Sequence, residues 1–300
     1  MERDTEIGEE SPGARAPQVR QDRIRVGLVG RGIQKSRTPA MHEAEGRRLG
    51  LNYEYRLLDA DRMGSPAPSL GDILDKAERD GFAGLNVTHP FKQEVLGLLD
   101  RVSDSARAVG AANTVVFEAG ERVGHNTDYW GFREAFRGEL GDAPRDTVVL
   151  LGAGGGGAAV SHALLDLGVG RLLVADPEPD RAGTLTARLG AQFGDGRAAT
   201  ADDPATALAA ADGVVNATPV GMEGHAGSPV PEDLLRRAMW VVDIIYFPIE
   251  TALLRAARDR GCRTMGGERM AILQAVRAFE HFTGIAADVG TMRAAFAAAG

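Results

Sequence analysis

The stretch VVLLGAGGGGAAVSHALLDLG, residues 148–168, decides the fold of this chain. An apolar run leads directly into a glycine cluster, and an alanine-rich segment of helical character follows. The spacing Gly152-x-Gly154-x-x-Gly157 at such a strand-to-helix turn is typical of a loop that binds the pyrophosphate of a dinucleotide. The first glycine permits the tight turn, the second lets the backbone approach the phosphates, and the third lets the helix pack on the strand. A tight turn without a ligand is the alternative, because one such loop alone is a weak signal.

An acidic residue at the end of the next predicted strand supports a dinucleotide site. The segment RLLVAD ends in Asp176, about 20 residues after the glycine cluster, where a carboxylate accepts hydrogen bonds from the adenosine ribose hydroxyls. This carboxylate would repel a 2′-phosphate, and the nearest cation that follows it in the chain is Arg181. The sequence therefore favours NAD over NADP as the cofactor.

Outward from the glycine cluster, strand-like and helix-like segments alternate along the chain. The predicted strands are residues 24–30, 52–58, 82–87, 114–117, 122–124, 147–151, 171–176, 213–217, 240–245 and 262–265, and the predicted helices are 39–49, 70–79, 91–102, 129–140, 157–167, 268–282 and 286–299. Residues 191–212 fit neither pattern clearly, and GDAPRD (141–146) has the composition of a linker between domains. Such alternation predicts an α/β fold with parallel sheets covered by helices, arranged as two lobes with a ligand-binding cleft between them.

Composition and charge exclude several classes of protein. Three hundred residues suffice for about two domains, and a net charge of −8 argues against a nucleic-acid or anionic-membrane partner. A single cysteine, Cys262, excludes an internal disulfide, and the six histidines lack metal-ligand spacing, so no metal site is expected. Residues 1–22 are polar and of mixed charge, which predicts a disordered tail without a secretory signal. No stretch has the length and apolarity of a membrane span, and we expect a cytoplasmic protein.

Three further motifs place polar side chains beside predicted strand ends and helix starts. NVTHPFK (86–92) follows a strand and brings Lys92 to the edge where open α/β sheets bind ligands. GHNTD (124–128) ends in Asp128 at a helix start, and SRTPAMH (36–42) places hydroxyl groups ahead of another helix. Structural roles remain alternatives in each case, namely a solvated surface lysine and helix N-caps.

These motifs occur in one order, and in that order the chain resembles the shikimate dehydrogenase family from about Arg23 to its C-terminus. The matching segments are SRTPAMH (36–42), GLNVTHPFK (84–92), GAANTVV (110–116), GHNTD (124–128), GAGGGG (152–157), NATPVGM (216–222), DIIYFPIET (243–251) and GGERMAILQA (266–275). The resemblance implies an enzyme that interconverts 3-dehydroshikimate and shikimate with a nicotinamide cofactor. It implies a substrate-binding domain of residues 23–125 plus 266–300 and an NAD-binding Rossmann-like domain of residues 126–265.

The resemblance also implies which residues form the site. Lys92 and Asp128 match the family's catalytic pair. The positions that match its substrate contacts are Ser36, Thr38, Thr88, Asn113, Tyr246 and Gln274. Those that match its cofactor contacts are Gly152, Ala153, Gly154, Gly155, Gly156, Gly157, Asp176, Thr218, Ile244 and Gly267. A plain turn is the structural alternative for Asn113.

Two departures from the family's usual pattern make the expected substrate and cofactor more specific. Thr38 stands where most members have a serine, and this form resembles the branch that also oxidises quinate. Asp176-Pro177-Glu178 stands where most biosynthetic members have Asn-Arg-Thr and use NADP. The resemblance therefore implies an NAD-dependent quinate/shikimate dehydrogenase, a monomer or homodimer acting on a small polyhydroxylated carboxylate. The alternatives are another two-lobed NAD(P) enzyme, such as a methylenetetrahydrofolate dehydrogenase, and a non-catalytic metabolite sensor.

Overall fold

The computed structural model describes residues 23–299, which form two units that each contain a six-stranded sheet. The first unit comprises the described residues up to Thr127 and those from Ile272 onward, and the second unit comprises Asp128–Ala271. The sequence placed these two boundaries slightly earlier, after residues 125 and 265. The disordered tail predicted for residues 1–22 lies outside the described residues.

The sheet of the first unit mixes parallel and antiparallel strands in the order β2-β1-β3-β5-β6-β4. Its strands are β1 (Ile24–Gly30), β2 (Tyr53–Asp59), β3 (Gly84–Val87), β4 (Arg101–Val102), β5 (Thr114–Glu118) and β6 (Glu121–His125), and its helices include α1 (Thr38–Arg48), α2 (Leu70–Arg79) and α3 (Asp104–Val109). β1 pairs in parallel with β2 and β3, whereas β5 runs antiparallel to both β3 and β6. Ala119 and Gly120, with φ of 53° and 82°, form the tight turn predicted for the β5–β6 hairpin.

Residues 91–102 do not form the helix predicted for them. The structure has instead a short 3₁₀ helix, Glu94–Leu98, followed by strand β4. β4 pairs in parallel with β6, and the Ser103 N–H donates to the Gly124 carbonyl at 2.9 Å. The apolar side chains do recur at helical spacing, but pairing at the sheet edge uses the backbone groups that a helix would need. Tertiary context overrides local propensity here.

The sheet of the second unit is entirely parallel, with the strand order β12-β11-β10-β7-β8-β9. Its strands are β7 (Thr147–Leu151), β8 (Arg171–Ala175), β9 (Ala198–Thr200), β10 (Gly213–Asn216), β11 (Trp240–Asp243) and β12 (Arg263–Met265). The helices that follow in the chain are α4 (Thr127–Leu140), α5 (Gly155–Asp166), α6 (Pro179–Phe193), α7 (Pro204–Ala210), α8 (Ala252–Asp259), α9 (Gly267–Thr283) and α10 (Val289–Ala298), of which α9 crosses the boundary back into the first unit.

The strand order of this sheet reverses between β7 and β10. The chain runs outward through β7, β8 and β9 and then crosses to the other side of β7 to form β10. Ligands of such sheets bind at the carboxyl ends of the strands beside this reversal. Gly152 directly follows β7 and Ala217 directly follows β10, so the glycine cluster lies at that point.

Packing within the second unit determines the structure of two segments, one that fitted neither pattern and one that was predicted to be a linker between domains. Residues 191–212 contain the end of α6, strand β9 and helix α7. The prediction of an interdomain linker at residues 141–146 is wrong, because these residues lie inside the unit, where the Trp240 indole donates to the Pro144 carbonyl at 2.8 Å. None of the helices within residues 23–299 is long and apolar enough to cross a membrane.

Candidate active site

A buried polar network lies at the strand ends of the first unit. The Asn113 side-chain oxygen accepts from the Thr127 N–H at 2.7 Å, and the Asn113 amide donates to the Thr127 hydroxyl at 3.0 Å. The Thr127 hydroxyl lies 3.5 Å from the Gln274 side-chain oxygen. Asn113 is only 3% exposed, so it orders the segment that enters α4 and brings two predicted substrate residues, Asn113 and Gln274, into one network.

Asn86 belongs to the same polar network and was not predicted from the sequence. Asn86 is buried in β3, where its side-chain amide donates to the Thr114 hydroxyl at 3.0 Å and its oxygen accepts from the Tyr55 hydroxyl at 2.8 Å. The one signal for it was an asparagine inside an otherwise apolar strand, GLNV. A buried amide needs partners, and these partners fix the geometry of the strand ends.

Lys92 and Thr88 flank the turn that follows β3. The Thr88 N–H donates to the Val29 carbonyl at 2.9 Å, and the Lys92 carbonyl accepts from the Ala112 N–H at 2.8 Å. Both side chains are half-buried. The backbone contact with Ala112 places Lys92 on the segment adjacent to Asn113.

Ser36 and Thr38 stand at the start of α1. The Ser36 hydroxyl donates to the Thr38 hydroxyl at 3.2 Å and accepts from the Thr38 N–H at 3.3 Å. Both residues are half-buried. Two hydroxyl groups thus lie side by side at a helix start, as a site for a polyhydroxylated ligand requires.

The glycine loop of the second unit, residues 152–157, is shaped by close backbone approaches. Gly152 has φ of +101°, and a Cβ built on it would lie 2.8 Å from the Ala217 carbonyl. A Cβ on Gly157 would lie 2.0 Å from the Gly152 oxygen, whereas one on Gly154 would meet nothing within 4 Å. No side chain caps the N-terminus of α5. Open space at Gly154 and unused N–H groups at the helix start fit a bound pyrophosphate.

Hydrogen bonds of the Asp176 carboxylate connect the glycine loop to the segment that follows β8. One carboxylate oxygen accepts from the Ala153 N–H at 2.7 Å, and the other accepts from the Glu178 N–H at 2.9 Å. No local pattern predicts the contact with Ala153, because it joins residues far apart in the chain. Arg181, the nearest following cation, forms an ion pair with Glu178 at 2.9 Å. The positive charge of Arg181 is therefore partly compensated by Glu178 before any ligand binds.

Two further loops meet the glycine loop, the β10 loop (residues 217–227) and the β11 loop (residues 244–251). A Cβ on Gly156 would lie 3.1 Å from Ile244, and one on Gly267 would lie 2.2 Å from the Ile244 carbonyl. Thr218 donates through its hydroxyl to the Asn216 side chain at 2.7 Å. The second unit thus brings together Gly156, Ile244 and Gly267, all predicted cofactor residues. Tyr246 of the β11 loop is 37% exposed.

An open pocket of about 580 Å³ lies between the β10 and β11 loops. It is lined by Gly221, Met222, Glu223, Gly224, Ala226, Gly227, Phe247, Pro248 and Ala252. None of the residues predicted to contact the cofactor lines this pocket, although two of them, Thr218 and Ile244, belong to the same two loops.

Asp128 lies in the first turn of α4 and is 7% exposed. The next residue anchors the helix, because the Tyr129 hydroxyl donates to Asp166 of α5 at 2.7 Å. The Arg133 guanidinium lies 3.3 Å from the same carboxylate. Burial raises the pKa of Tyr129, which keeps its hydroxyl protonated and able to donate. α4, and with it the backbone of Asp128, is thus fixed against the helix that follows the glycine loop.

Comparison with known proteins identifies the family to which this chain belongs. The family model "Shikimate dehydrogenase substrate binding domain" matches residues 28–115, and "Shikimate 5'-dehydrogenase C-terminal domain" matches residues 267–295. The shikimate dehydrogenase (NADP(+)) of Streptomyces avermitilis is 52% identical over 88% of this chain and 91% of its own length. The chain belongs to the shikimate dehydrogenase family. As in the family's structures, an N-terminal substrate-binding domain accompanies a Rossmann-like fold.

Relatives of this shikimate dehydrogenase family member differ in the cofactor they are named for. The quinate/shikimate dehydrogenase (NAD(+)) of Corynebacterium efficiens is 49% identical over 92% of this chain and 98% of its own length. The solved quinate dehydrogenase of Corynebacterium glutamicum in complex with NAD is 47% identical, covers 92% of this chain and 99% of its own, and has a TM-score of 0.88. The enzyme is therefore an NAD(P)-dependent dehydrogenase, and its relatives include proteins named for each of the two cofactors.

The histidines, as possible metal ligands, and the single cysteine lie in the described part of the chain. Within residues 23–299, no group of three or more His, Cys, Asp or Glu side chains is placed to hold a metal ion. Cys262 is buried and unpaired with another cysteine, and burial raises the pKa of its thiol. A thiol held in its protonated form is a poor nucleophile, which agrees with a packing role.

Proposed function

We propose that this enzyme is an NAD-dependent quinate/shikimate dehydrogenase in which Lys92 and Asp128 are the catalytic pair. The observation that carries the proposal is the half-buried Lys92 beside the segment of Asn113, in a unit whose strand ends hold several amide and hydroxyl groups. A polyhydroxylated carboxylate needs many hydrogen-bond partners, because each buried hydroxyl left unpaired costs about 1–3 kcal/mol. The residues that would supply them are Ser36, Thr38, Thr88, Asn113, Tyr246 and Gln274.

The chain's own residues then account for proton movement. A nicotinamide cofactor held by the glycine loop (residues 152–157) would supply the hydride acceptor for alcohol oxidation and the hydride donor for the reverse reaction. Lys92 in its neutral form removes the hydroxyl proton during oxidation, and its ammonium form stabilises and protonates the alkoxide during reduction. Asp128 orients Lys92 and the neighbouring substrate hydroxyl. A carboxylate close to the lysine favours its charged form, so Asp128 acts as an orienting group and not as the activator of the base.

A direct assay tests this assignment. Initial rates of NADH or NADPH formation are measured with shikimate and with quinate, each with NAD and with NADP. We expect turnover with both substrates and higher kcat/KM with NAD. Turnover only with a folate derivative would replace the assignment by the other two-lobed enzyme, and binding of shikimate without turnover would replace it by a metabolite sensor.

The preference for NAD is proposed on the geometry around Asp176. Its carboxylate is anchored by the Ala153 and Glu178 N–H groups at the end of β8, with capacity left to accept from ribose hydroxyls. A 2′-phosphate would meet this negative charge, and Arg181 is already paired with Glu178. Electrostatic repulsion therefore disfavours NADP.

Replacement of Asp176 by asparagine tests the preference for NAD. The amide removes the charge and one acceptor, so kcat/KM for NAD should fall about tenfold or more while that for NADP falls less or rises. The measurement is the NAD/NADP ratio of kcat/KM with shikimate. Asp180→Asn, two residues into α6 and exposed, is the matched control and should leave the ratio unchanged. An unaltered ratio in Asp176→Asn would remove this residue from cofactor selection.

A further inference from the structure

Asp243, the last residue of β11, is a fully buried carboxylate that the assignments above do not use. Three groups donate to it: the Asn216 side-chain amide at 3.1 Å, the Ile245 N–H at 3.1 Å and the Thr251 hydroxyl at 2.7 Å. Ile245 and Thr251 both belong to the β11 loop. The carboxylate therefore joins the beginning of this loop to its end.

Asn216 links the same carboxylate to the β10 loop. Asn216 and Asp243 are register partners at the ends of β10 and β11, and both are fully buried. The Asn216 amide also donates to the Val220 carbonyl at 3.1 Å, and its oxygen accepts from the Thr218 N–H at 3.0 Å. One polar cluster thus determines the conformation of both loops.

These two loops carry residues assigned to ligand binding. Thr218 lies in the β10 loop, whereas Ile244 and Tyr246 lie in the β11 loop, on either side of Ile245. Ile244 contacts the position of a Cβ on Gly156, within the glycine loop. A change in the contacts of Asp243 would therefore be transmitted directly to the surface against which the cofactor would lie.

All three partners of Asp243 are donors, so they match the ionised carboxylate and not the protonated acid. Burial opposes ionisation and raises the pKa of Asp243 to about 6, while the hydrogen bonds from Thr251, Ile245 and Asn216 lower it. Several titratable or charged groups lie on the segments around Asp243: Glu223 and His225 of the β10 loop, Tyr246 and Glu250 of the β11 loop, Arg255, Arg258 and Asp259 of α8, Arg263 of β12, and Glu268 and Arg269 at the start of α9. All are exposed except Glu268 and Arg269, which are half-buried.

We propose that Asp243 is a positioning residue whose ionised carboxylate, through Asn216 and Thr251, holds the β10 and β11 loops in the arrangement that binds the dinucleotide. The inference rests on the proposed function for the identity of the ligand. It does not require Asp243 to touch substrate or cofactor. Protonation of the carboxyl turns one of its two acceptor oxygens into a donor. That donor would face Thr251 at Oδ2, or Asn216 and the Ile245 N–H at Oδ1, all of which donate to the carboxylate, so the contacts that hold the loops are weakened.

The test compares Asp243→Asn with the wild-type chain. Asparagine retains the size of the side chain but removes the charge and replaces one of the two acceptor oxygens by an NH2 group that faces a donor. The dissociation constant of NADH and KM for NAD should therefore rise at least ~10-fold. The value of kcat at saturating NAD should change by less than about threefold, since Lys92 is untouched. NADH binding is followed by its fluorescence, which requires no turnover. Unchanged NADH binding in a folded Asp243→Asn variant would overturn the proposal.

A second pair of variants applies if Asp243→Asn does not fold. Thr251→Ser keeps the hydroxyl that donates to Asp243 and that accepts from the Leu254 N–H at the start of α8. Thr251→Val removes it. We expect NADH binding to be weakened several-fold in Thr251→Val and restored in Thr251→Ser. Equal binding by the two variants would contradict the positioning role.

The pH profile of the wild type gives a readout that a purely structural role would not produce. The dissociation constant of NADH should rise about fivefold as the pH falls through 6, because the carboxylate is lost. The effect on overall folding has the opposite sign. A carboxyl whose pKa is raised from 3.8 to about 6 contributes stability below pH 3.8 that is lost as the pH rises through 6. Weaker binding at low pH would therefore not come from unfolding through this group, and a flat binding profile between pH 5 and 8 would overturn the proposal.

The proposed function and this inference fail in different ways. A wild-type chain that binds NADH but oxidises neither shikimate nor quinate would refute the proposed function and leave the role of Asp243 testable by binding. An active wild type whose NADH affinity is unaffected by Asp243→Asn and by pH would refute the inference alone.

Discussion

Lys92→Ala is expected to lower kcat for shikimate oxidation by at least ~100-fold and to leave NADH binding within about twofold of the wild type. Lys92 lies in the first unit, on the turn after β3, whereas the glycine loop belongs to the second. The variant therefore removes the group that moves the proton without altering the residues assigned to the cofactor. Steady-state kinetics and NADH fluorescence measure the two quantities separately.

Two further variants test whether the loss of activity is specific to Lys92 and to its ability to release a proton. Lys76→Ala removes an exposed lysine of α2 that pairs with Asp80 at 2.9 Å, and it should leave kcat unchanged. Lys92→Arg retains a positive charge, but a guanidinium does not release its proton near neutral pH, so oxidation should be impaired almost as strongly as by alanine. Turnover close to wild type in either Lys92 variant would exclude Lys92 as the proton-transfer group.

The pairing of Lys92 with Asp128 has its own test. Residues that act as a unit are not additive in their effects on kcat. Asp128→Asn should lower kcat, and the Lys92→Ala/Asp128→Asn double variant should be little worse than Lys92→Ala alone. If the two losses multiply, the residues act independently and the pair assignment is wrong.

The sequence predicts elements well where local pattern and tertiary context agree. β1 and α2 have the predicted bounds, and α2 is preceded by the N-cap residue Ser69, whose side chain forms a capping box with Asp72. Residues 91–102 were predicted wrongly because their apolar spacing is helical, while the backbone pairs at a sheet edge that only the folded chain creates. Residues 191–212 gave no prediction because their short elements depend on packing more than on local sequence.

In the candidate site, too, local motifs were predictable from the sequence and long-range contacts were not. A local motif identifies the glycine loop, and family resemblance identifies Lys92 as a candidate. The contacts that hold the site in shape are long-range, such as Asp176 with the Ala153 N–H and Asp243 with Asn216. The periodicity of a sequence does not predict contacts between residues that come together only when strands pair. Buried polar groups such as Asn86 and Asp243 were therefore visible in the sequence only as polar residues in apolar strands.

Gly157→Ala is expected to abolish measurable NADH binding at concentrations up to ~100 times the wild-type dissociation constant and to lower the melting temperature. A Cβ at this position would lie 2.0 Å from the Gly152 oxygen and 2.9 Å from its carbonyl carbon. Both are backbone atoms, so no side-chain rotation relieves the clash, and α5 must move away from the turn. Since that turn is itself held against Ala217, the displacement disturbs the end of β10 as well.

Two other glycines separate the loss of the loop from the loss of ligand space. A Cβ on Gly154 would meet no protein atom within 4 Å, and its φ of −73° suits alanine, so Gly154→Ala should keep its melting temperature. Its methyl group would nevertheless occupy the space proposed for the pyrophosphate and weaken NADH binding. Gly190→Ala, in the interior of α6 with open space around it, should bind NADH normally and gain about 0.5–1 kcal/mol in stability. If Gly157→Ala and Gly190→Ala bound NADH equally well, the close packing of α5 on the glycine turn would have no part in cofactor binding.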